Sequence, residues 1–301
     1  MRILIFGGLG YLGSHLKKVL KKKHKLLILT NKKYQKKTNY RSGVKSVAYT
    51  TENLRKTFEN FKPDKIIFMS GNSNPATSKN HYYDLIRTNL YLQNVLDAMK
   101  QTAFGGGFYF ASSIAVYGNK VKSGLVSEND SSPSNYYGLS KLLAENQIKF
   151  YTSICSFKSC IFRMATFFGP GLQKQFFFEF IKKIKKNKKK IVLKGSIKDK
   201  RDLLYIDDLV KILIKLLFLK QNKKFEIYNV GSGKEQFIKD IVLDVLKILN
   251  FNTKIIYKNL GRAPHFPKMS IKKLKNRINF KSNKKFNYYL KKVVSDYNKI
   301  L

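Results

Sequence analysis

Residues 2–13 read Arg-Ile-Leu-Ile-Phe-Gly-Gly-Leu-Gly-Tyr-Leu-Gly: an apolar run of strand length, a turn built from glycines, then the start of a helical pattern. A strand that turns at once into a helix needs backbone conformations and close approaches that side chains obstruct, and glycine supplies both. A helix entered in this way also presents its first amides, which have no intrahelical partner, beyond the strand end. Gly7, Gly10 and Gly13 with Tyr11 and Leu12 therefore predict a cradle for a pyrophosphate. The bland alternative is a glycine-rich turn that holds nothing.

The alternation continues. Arg2–Phe6 reads as a buried strand and Tyr11–Lys22 as a helix with Leu12, Leu16, Val19 and Leu20 as its apolar positions. Further strands are expected at Leu26–Leu29, Lys65–Met69, Gly107–Phe110 and Ser159–Arg163, with helices at Thr88–Met99 and Tyr136–Tyr151. Strands separated by helix-length segments predict an α/β fold with a doubly wound parallel sheet covered on both faces. After Gly169-Pro-Gly171 the pattern is less regular: helices at Phe176–Lys186, Ile206–Phe218 and Ile238–Leu249, and strands at Ile191–Leu193 and Glu226–Val230. The expected organisation is a nucleotide-binding domain over 1–165, its sheet completed by about 203–232. Segments 166–202 and 233–301 are expected to form a smaller C-terminal substrate-binding lobe.

The chain has 301 residues and a formal charge of +42 from 60 Lys plus Arg against 18 Asp plus Glu. Such a charge raises the question of nucleic acid or an acidic membrane. The lysines, however, are spread along the whole sequence, and the densest run, Lys182–Lys190, reads as a helix end passing into a strand. A solvated basic surface is the expectation, with nucleic acid not the primary partner, although a positive field favours an anionic ligand such as a nucleotide diphosphate. No apolar run is long enough to span a bilayer, and the initial one is too short for the core of a signal peptide. The two cysteines, Cys155 and Cys160, suit neither a disulfide framework nor a zinc site. A cytoplasmic protein without metal is expected.

Two further features carry chemistry. Tyr137 and Lys141 stand four residues apart, on one face of a predicted helix. An ammonium held there is expected to lower the tyrosine pKa from its usual value near 10 and fit it for general acid–base work. Phe110-Ala-Ser-Ser-Ile-Ala-Val-Tyr-Gly118 follows a predicted central strand, so Ser112 or Ser113 could bond a substrate oxygen, or could simply cap the strand end.

Taken in order, these motifs resemble the extended short-chain dehydrogenase/reductase family, the NAD(P)-dependent epimerase/dehydratase group, over nearly the whole chain. Its Gly-x-x-Gly-x-x-Gly turn matches Gly7, Gly10 and Gly13; its Ser/Thr before a Val-Tyr-Gly matches Ser113, and its Tyr-x-x-x-Lys matches Tyr137 and Lys141. Arg163–Gly171, Arg201–Asp208 and Tyr228–Gly233 resemble three later family segments, and Asn89 matches the asparagine of the helix leading to the serine strand. The resemblance implies a Rossmann-like fold and hydride transfer at a sugar carbon, C4 first among them. In that reading Tyr137 is the acid/base, Lys141 tunes it and holds the nicotinamide ribose, and Ser113 positions the reacting oxygen. It implies Arg262, with Arg201 as a second candidate, against a nucleotide diphosphate, which a planar guanidinium suits. A homodimer is also compatible with it.

Two departures sharpen the expectation. After the second strand the chain reads Thr30-Asn-Lys-Lys33 where an NAD-binding chain carries an acid; Asn31 and Lys32 tolerate or attract a 2′-phosphate, which leans the cofactor toward NADP over NAD. The acid expected near the adenine is also replaced, by Thr50 and Thr51. Ile114 and Ala115 stand where the family's 4,6-dehydratases carry Asp-Glu, so elimination of water is not expected. A nucleotide-sugar epimerase and a 4-ketoreductase both stay open. So do a reductase of a non-nucleotide carbonyl compound and a catalytically idle NADP- or RNA-binding protein.

Overall fold

The computed structural model describes residues 1–31, 43–72, 78, 81–118, 124–173, 176–258, 267–282 and 285–301. Its centre is a sheet of seven strands: β1 (Arg2–Phe6), β2 (Lys25–Asn31), β3 (Val44–Val47), β4 (Lys65–Phe68), β5 (Gly107–Ser113), β7 (Lys158–Met164) and β11 (Phe225–Val230). They lie in the order β11-β7-β5-β4-β1-β2-β3, with every pairing parallel. Consecutive side chains on a strand point to opposite faces, and β1 shows the result. Ile3 and Ile5 enter the core that contains Leu12, Leu16 and Leu20 of helix α1 (Tyr11–Leu20). Leu4 and Phe6 enter the other core, with Leu54 and Phe58 of α2 (Thr51–Phe61) and Leu92, Val95 and Leu96 of α4 (Tyr91–Gln101). Burial on both faces explains why these strands read as continuous apolar runs.

The strand order reverses at β1, which pairs with β2 on one side and β4 on the other. A crevice for a ligand is expected beyond the carboxyl ends of the strands at such a point. α5 (Tyr136–Ile154) leads into β7, and β11 completes the sheet edge beside it.

Three smaller strand assemblies surround this edge. β8 (Thr166–Phe168), β10 (Lys200–Tyr205) and β12 (Glu235–Phe237) form one, β9 (Lys190–Lys194) and β13 (Lys254–Lys258) a parallel pair, and β6 (Leu125–Val126) and β14 (Lys268–Met269) another. α6 (Phe176–Lys186), α7 (Ile206–Phe218), α8 (Ile238–Leu249), α9 (Lys272–Ile278) and α10 (Phe286–Ile300) pack around them. The loop after β8 is held from two sides. Tyr11 Oη donates to the Pro170 carbonyl at 3.0 Å. From α10, Tyr297 Oη donates to the carbonyls of Gly169 (3.1 Å) and Leu172 (2.6 Å), and the Asp296 carboxylate accepts from the Gly171 amide at 2.8 Å.

The structure departs from the sequence reading in several places, among them the short strands β6, β8, β10, β12, β13 and β14. β3 and α2 were not expected; α2 is mostly polar, with only Leu54, Thr57 and Phe58 buried, so its apolar stripe is thin. The helix expected from Thr88 starts earlier, as α3 (His81–Asp84), and passes through a π-helical turn at Leu85–Leu90 before α4. Exposed Tyr82, Leu85 and Leu90 break the apolar periodicity there. α9 and α10 also lie beyond what the sequence pattern assigned. Among the described residues no helix is long and apolar enough to cross a membrane, and no group of three or more His, Cys, Asp or Glu is placed to hold a metal.

Candidate active site

The glycine turn lies at the carboxyl end of β1. Gly7 adopts φ +79°, and a Cβ there would stand 2.8 Å from the Met69 backbone. A Cβ on Gly13 would stand 2.3 Å from the Gly7 carbonyl, so α1 can lie this close to the turn only with glycine at both positions. Gly10 is the N-cap residue of α1, its amide donating to the Gly7 carbonyl at 3.0 Å. No side chain caps the helix and its first turn contains no acid. The leading amides, at Tyr11, Leu12 and Gly13, thus retain their positive end, and these residues fit the pyrophosphate of a dinucleotide.

Ser112 and Ser113 close β5 two strands away. They have different neighbours. Ser112 is buried and donates to Glu145 Oε1 at 2.5 Å. Ser113 Oγ accepts from the Ala115 amide at 3.2 Å, capping the short 3-10 turn Ile114–Tyr117, and its hydroxyl stands beside the Tyr137 phenol. The capping reading of Ser113 is thus met in the structure.

Tyr137 and Lys141 sit in the first two turns of α5, which is capped by the Asn135 side chain accepting from the Gly138 amide at 2.8 Å. Both are buried, Lys141 at 4% exposure. The ammonium donates to the Ala111 carbonyl at 3.3 Å and lies 5.1 Å from the Phe110 ring centre and 5.7 Å from that of Tyr137. The spacing brings the pair together, but the expected depression of the tyrosine does not follow from the protein's own groups. Burial pushes the Tyr137 phenol up to about 12; the Ser113 hydroxyl opposes this and the charge of Asp84 adds to it. Burial also draws the Lys141 ammonium down to about 8, against the charges of Asp84 and Glu145. Spacing reported proximity; desolvation, which spacing does not report, sets the direction.

Asn89 lies in the π-helical turn, buried, and ties it to α5: its side-chain amide donates to the Ser140 carbonyl at 3.0 Å and to Gln147 Oε1 at 3.2 Å. Its Oδ1 and the Thr88 hydroxyl are buried without a hydrogen-bond partner among the described residues. Asn31 is the last residue of β2, while Lys32 falls outside the described residues. Of the two residues read near the adenine, Thr50 caps α2 by accepting from the Asn53 amide at 3.4 Å, and Thr51 contacts Asn94 at 3.5 Å.

Arg201 is the second residue of β10, donating to the Lys200 carbonyl at 2.8 Å, and burial lowers its pKa against the charge of Asp199. The next residue, Asp202, accepts from the Ser232 amide (2.8 Å) and hydroxyl (2.6 Å) and from the Gly233 amide (3.0 Å). This joins the Arg-Asp segment to the Gly-Ser-Gly turn after β11. Arg262 lies outside the described residues.

Sequence reasoning missed the polar groups beneath the site. Arg163 on β7 pairs with Glu145 on α5 at 2.7 Å, with Nε reaching both carboxylate oxygens at 3.1 Å; both side chains are buried. Arg163 Nη1 also donates to Tyr117 Oη (3.1 Å) and to the carbonyls of Glu128 and Asp130, and Tyr117 donates to Asn229 Oδ1 at 2.5 Å. Burial lowers the guanidinium pKa, but the bonds and charge of Glu145 outweigh it and hold the group raised. Glu145 stands one turn after Lys141 on the same helix, the signal that could have found it.

The family model described as NAD dependent epimerase/dehydratase family matches residues 3–231. A putative UDP-glucose 4-epimerase of Methanocaldococcus jannaschii is 28% identical over 264 residues, covering 85% of each chain. The dTDP-D-glucose 4,6-dehydratase of Homo sapiens is 23% identical over 264 residues, covering 82% of this chain and 74% of that one. The solved UDP-glucuronic acid 4-epimerase of Bacillus cereus, in complex with UDP-glucuronic acid and NAD, superposes over the full length of both chains with a TM-score of 0.85 at 22% identity. With the glycine turn, the parallel sheet and the Tyr137–Lys141 helix in place, the chain belongs to the NAD-dependent epimerase/dehydratase family.

Proposed function

We propose that the protein is a nucleotide-sugar epimerase acting at C4, with Tyr137 as the acid/base. The observation that carries this reading is the buried Tyr137 beside Ser113, at the same sheet edge as the uncapped glycine turn. A dinucleotide held by Gly7, Gly10, Tyr11, Leu12 and Gly13, with Asn89 and Asn31 at its flanks, supplies hydride acceptance and return. Ser113 holds the reacting sugar oxygen and Tyr137 exchanges a proton with it. The protein's own field keeps Tyr137 protonated near neutrality, which suits proton donation to a carbonyl oxygen. Lys141 supplies the fixed positive charge beside it. Segments 166–202 and 233–301 form the substrate side, and Arg201 and Arg262 take the diphosphate. The dehydratase reading is not preferred, because Ile114 and Ala115, both buried in the 3-10 turn, offer no carboxylic acid. The names of the M. jannaschii and B. cereus relatives support the epimerase and a UDP-sugar substrate.

The deciding experiment incubates the purified protein with UDP-glucose, UDP-N-acetylglucosamine and UDP-glucuronic acid, and resolves the products by chromatography. Interconversion of C4 epimers without net oxidation of cofactor is the expected result. Net consumption of NADPH with a 4-keto sugar would replace the epimerase by a reductase, and no turnover of any nucleotide sugar would remove both.

The chain after β2 supports acceptance of a 2′-phosphate. NADPH is expected to bind at least as tightly as NADH in a fluorescence titration at fixed ionic strength. A tenfold or greater preference for NADH would overturn that lean.

A further inference from the structure

We propose that Tyr297 and Asp296, on α10, are positioning residues for the dinucleotide cradle, acting on it through the loop 169–172 and the side chain of Tyr11. This rests on the reading of the glycine turn as a dinucleotide cradle. Tyr11 is the first residue of α1, directly after the uncapped Gly10, and its amide is among those left free at the head of the helix. Its ring meets His15 at 4.8 Å between centres and runs parallel to Phe167 at 6.3 Å. Its hydroxyl lies against the loop. It donates to the Pro170 carbonyl, and a Cβ on Gly169 would stand only 2.5 Å from the phenol oxygen. Where Tyr11 sits therefore depends on where the loop sits.

With its own backbone the loop bonds from the Leu172 amide to the Gly169 carbonyl at 3.5 Å and from the Gln173 amide to the Gly171 carbonyl at 3.1 Å. Most of its support comes from outside. Tyr297 takes the carbonyls of Gly169 and Leu172, Asp296 takes the Gly171 amide, and Tyr11 takes the Pro170 carbonyl, so each of the four residues is held by α1 or α10. Tyr297 is 1% exposed, and its ring stands edge-on to Phe178 of α6 at 5.4 Å. Packing thus places its hydroxyl before any ligand arrives. Removing that hydroxyl strands two carbonyls, and a buried acceptor without a donor costs more than the bond had contributed. The loop then shifts toward water and Tyr11 loses its support. A cradle that is correctly formed for only a fraction of the time binds with a Kd raised by the inverse of that fraction. α10 lies in the segment assigned above to the substrate side, so the loop ties that side to the head of α1.

The test is a fluorescence titration with NADH and with NADPH, which needs no nucleotide sugar. Tyr297→Phe keeps the ring against Phe178 and removes only the donor. It is expected to raise the dinucleotide Kd about three- to tenfold, the range of couplings carried between sites by packed contacts. Asp296→Ala, at a half-buried position, should do the same in smaller measure, and it serves if Tyr297→Phe fails to fold. Tyr11→Phe should raise Kd by a similar factor. The double variant of Tyr11→Phe with Tyr297→Phe should lose no more than the worse single one, because both act through one loop. Val293→Ala is the control: buried on the same helix with no polar group to offer the loop, it should lower Tm and leave Kd within about twofold. A purely structural role for Tyr297 would behave like that control. An unchanged Kd in both α10 variants, losses that multiply in the double variant, or a Val293→Ala that weakens binding as much as Tyr297→Phe overturns the proposal. If the unaltered protein binds neither dinucleotide, the reading of the cradle fails and takes this proposal with it. Binding by the unaltered protein that the variants leave untouched overturns the proposal alone.

Discussion

Tyr137→Phe is expected to lower kcat by about 10²–10⁴-fold, the usual contribution of a positioned acid–base group, while leaving cofactor affinity within a few fold. The phenol stands beside Ser113 at the carboxyl edge of β5, and the described acids nearby are otherwise engaged: Asp84 by Asn72 and Ser78, Glu145 by Arg163. A phenyl ring of the same shape leaves the packing in place and removes the exchangeable proton. Equal losses in kcat and kcat/KM would mark an interaction made only in the transition state. Turnover of substrate at more than a tenth of the wild-type rate would exclude Tyr137 as the proton carrier.

The second large effect concerns folding. Glu145→Ala strips the buried Arg163 guanidinium of its carboxylate and Ser112 of its acceptor. Removing one partner of such a pair costs about 3–5 kcal/mol, because the other charge stays buried. Urea unfolding should show a free energy of unfolding lowered by that amount, as a lower midpoint at an unchanged slope, and an effect below about 1 kcal/mol would mean that the network is replaced by water on mutation. Glu145→Gln keeps an acceptor for Arg163 and should fall between the two. The pair joins α5 to β7, so the damage should spread to the placement of Lys141, one turn earlier.

Much of this molecule is legible in its sequence for definite reasons. β1, β4, β5 and β7 are buried on both faces and read as apolar runs; α6, α7 and α8 carry regular stripes, and the structure returns their sequence limits unchanged. The glycine turn is readable because crowding admits only glycine. What escaped was polar and non-local. Asp84 stands in a stretch whose exposed Tyr82 and Leu85 hide any stripe, so nothing nearby marks it as buried. Arg163 and Glu145 meet across two elements, and no local pattern announces a bond between them. The raised phenol of Tyr137 escaped for a third reason: four residues along a helix fix a distance, whereas a pKa depends on how much water the fold removes.

β11 pairs with β7 although β8, α6, β9, β10 and α7 all intervene in the chain. During synthesis the first six sheet strands can assemble while β7 still offers a bare row of amides and carbonyls to its surroundings. That edge is a template for the wrong partner until Phe225–Val230 has emerged. Its closing strand follows β8, α6, β9, β10 and α7 in the chain, so the nascent protein cannot seal its sheet until these elements have been made.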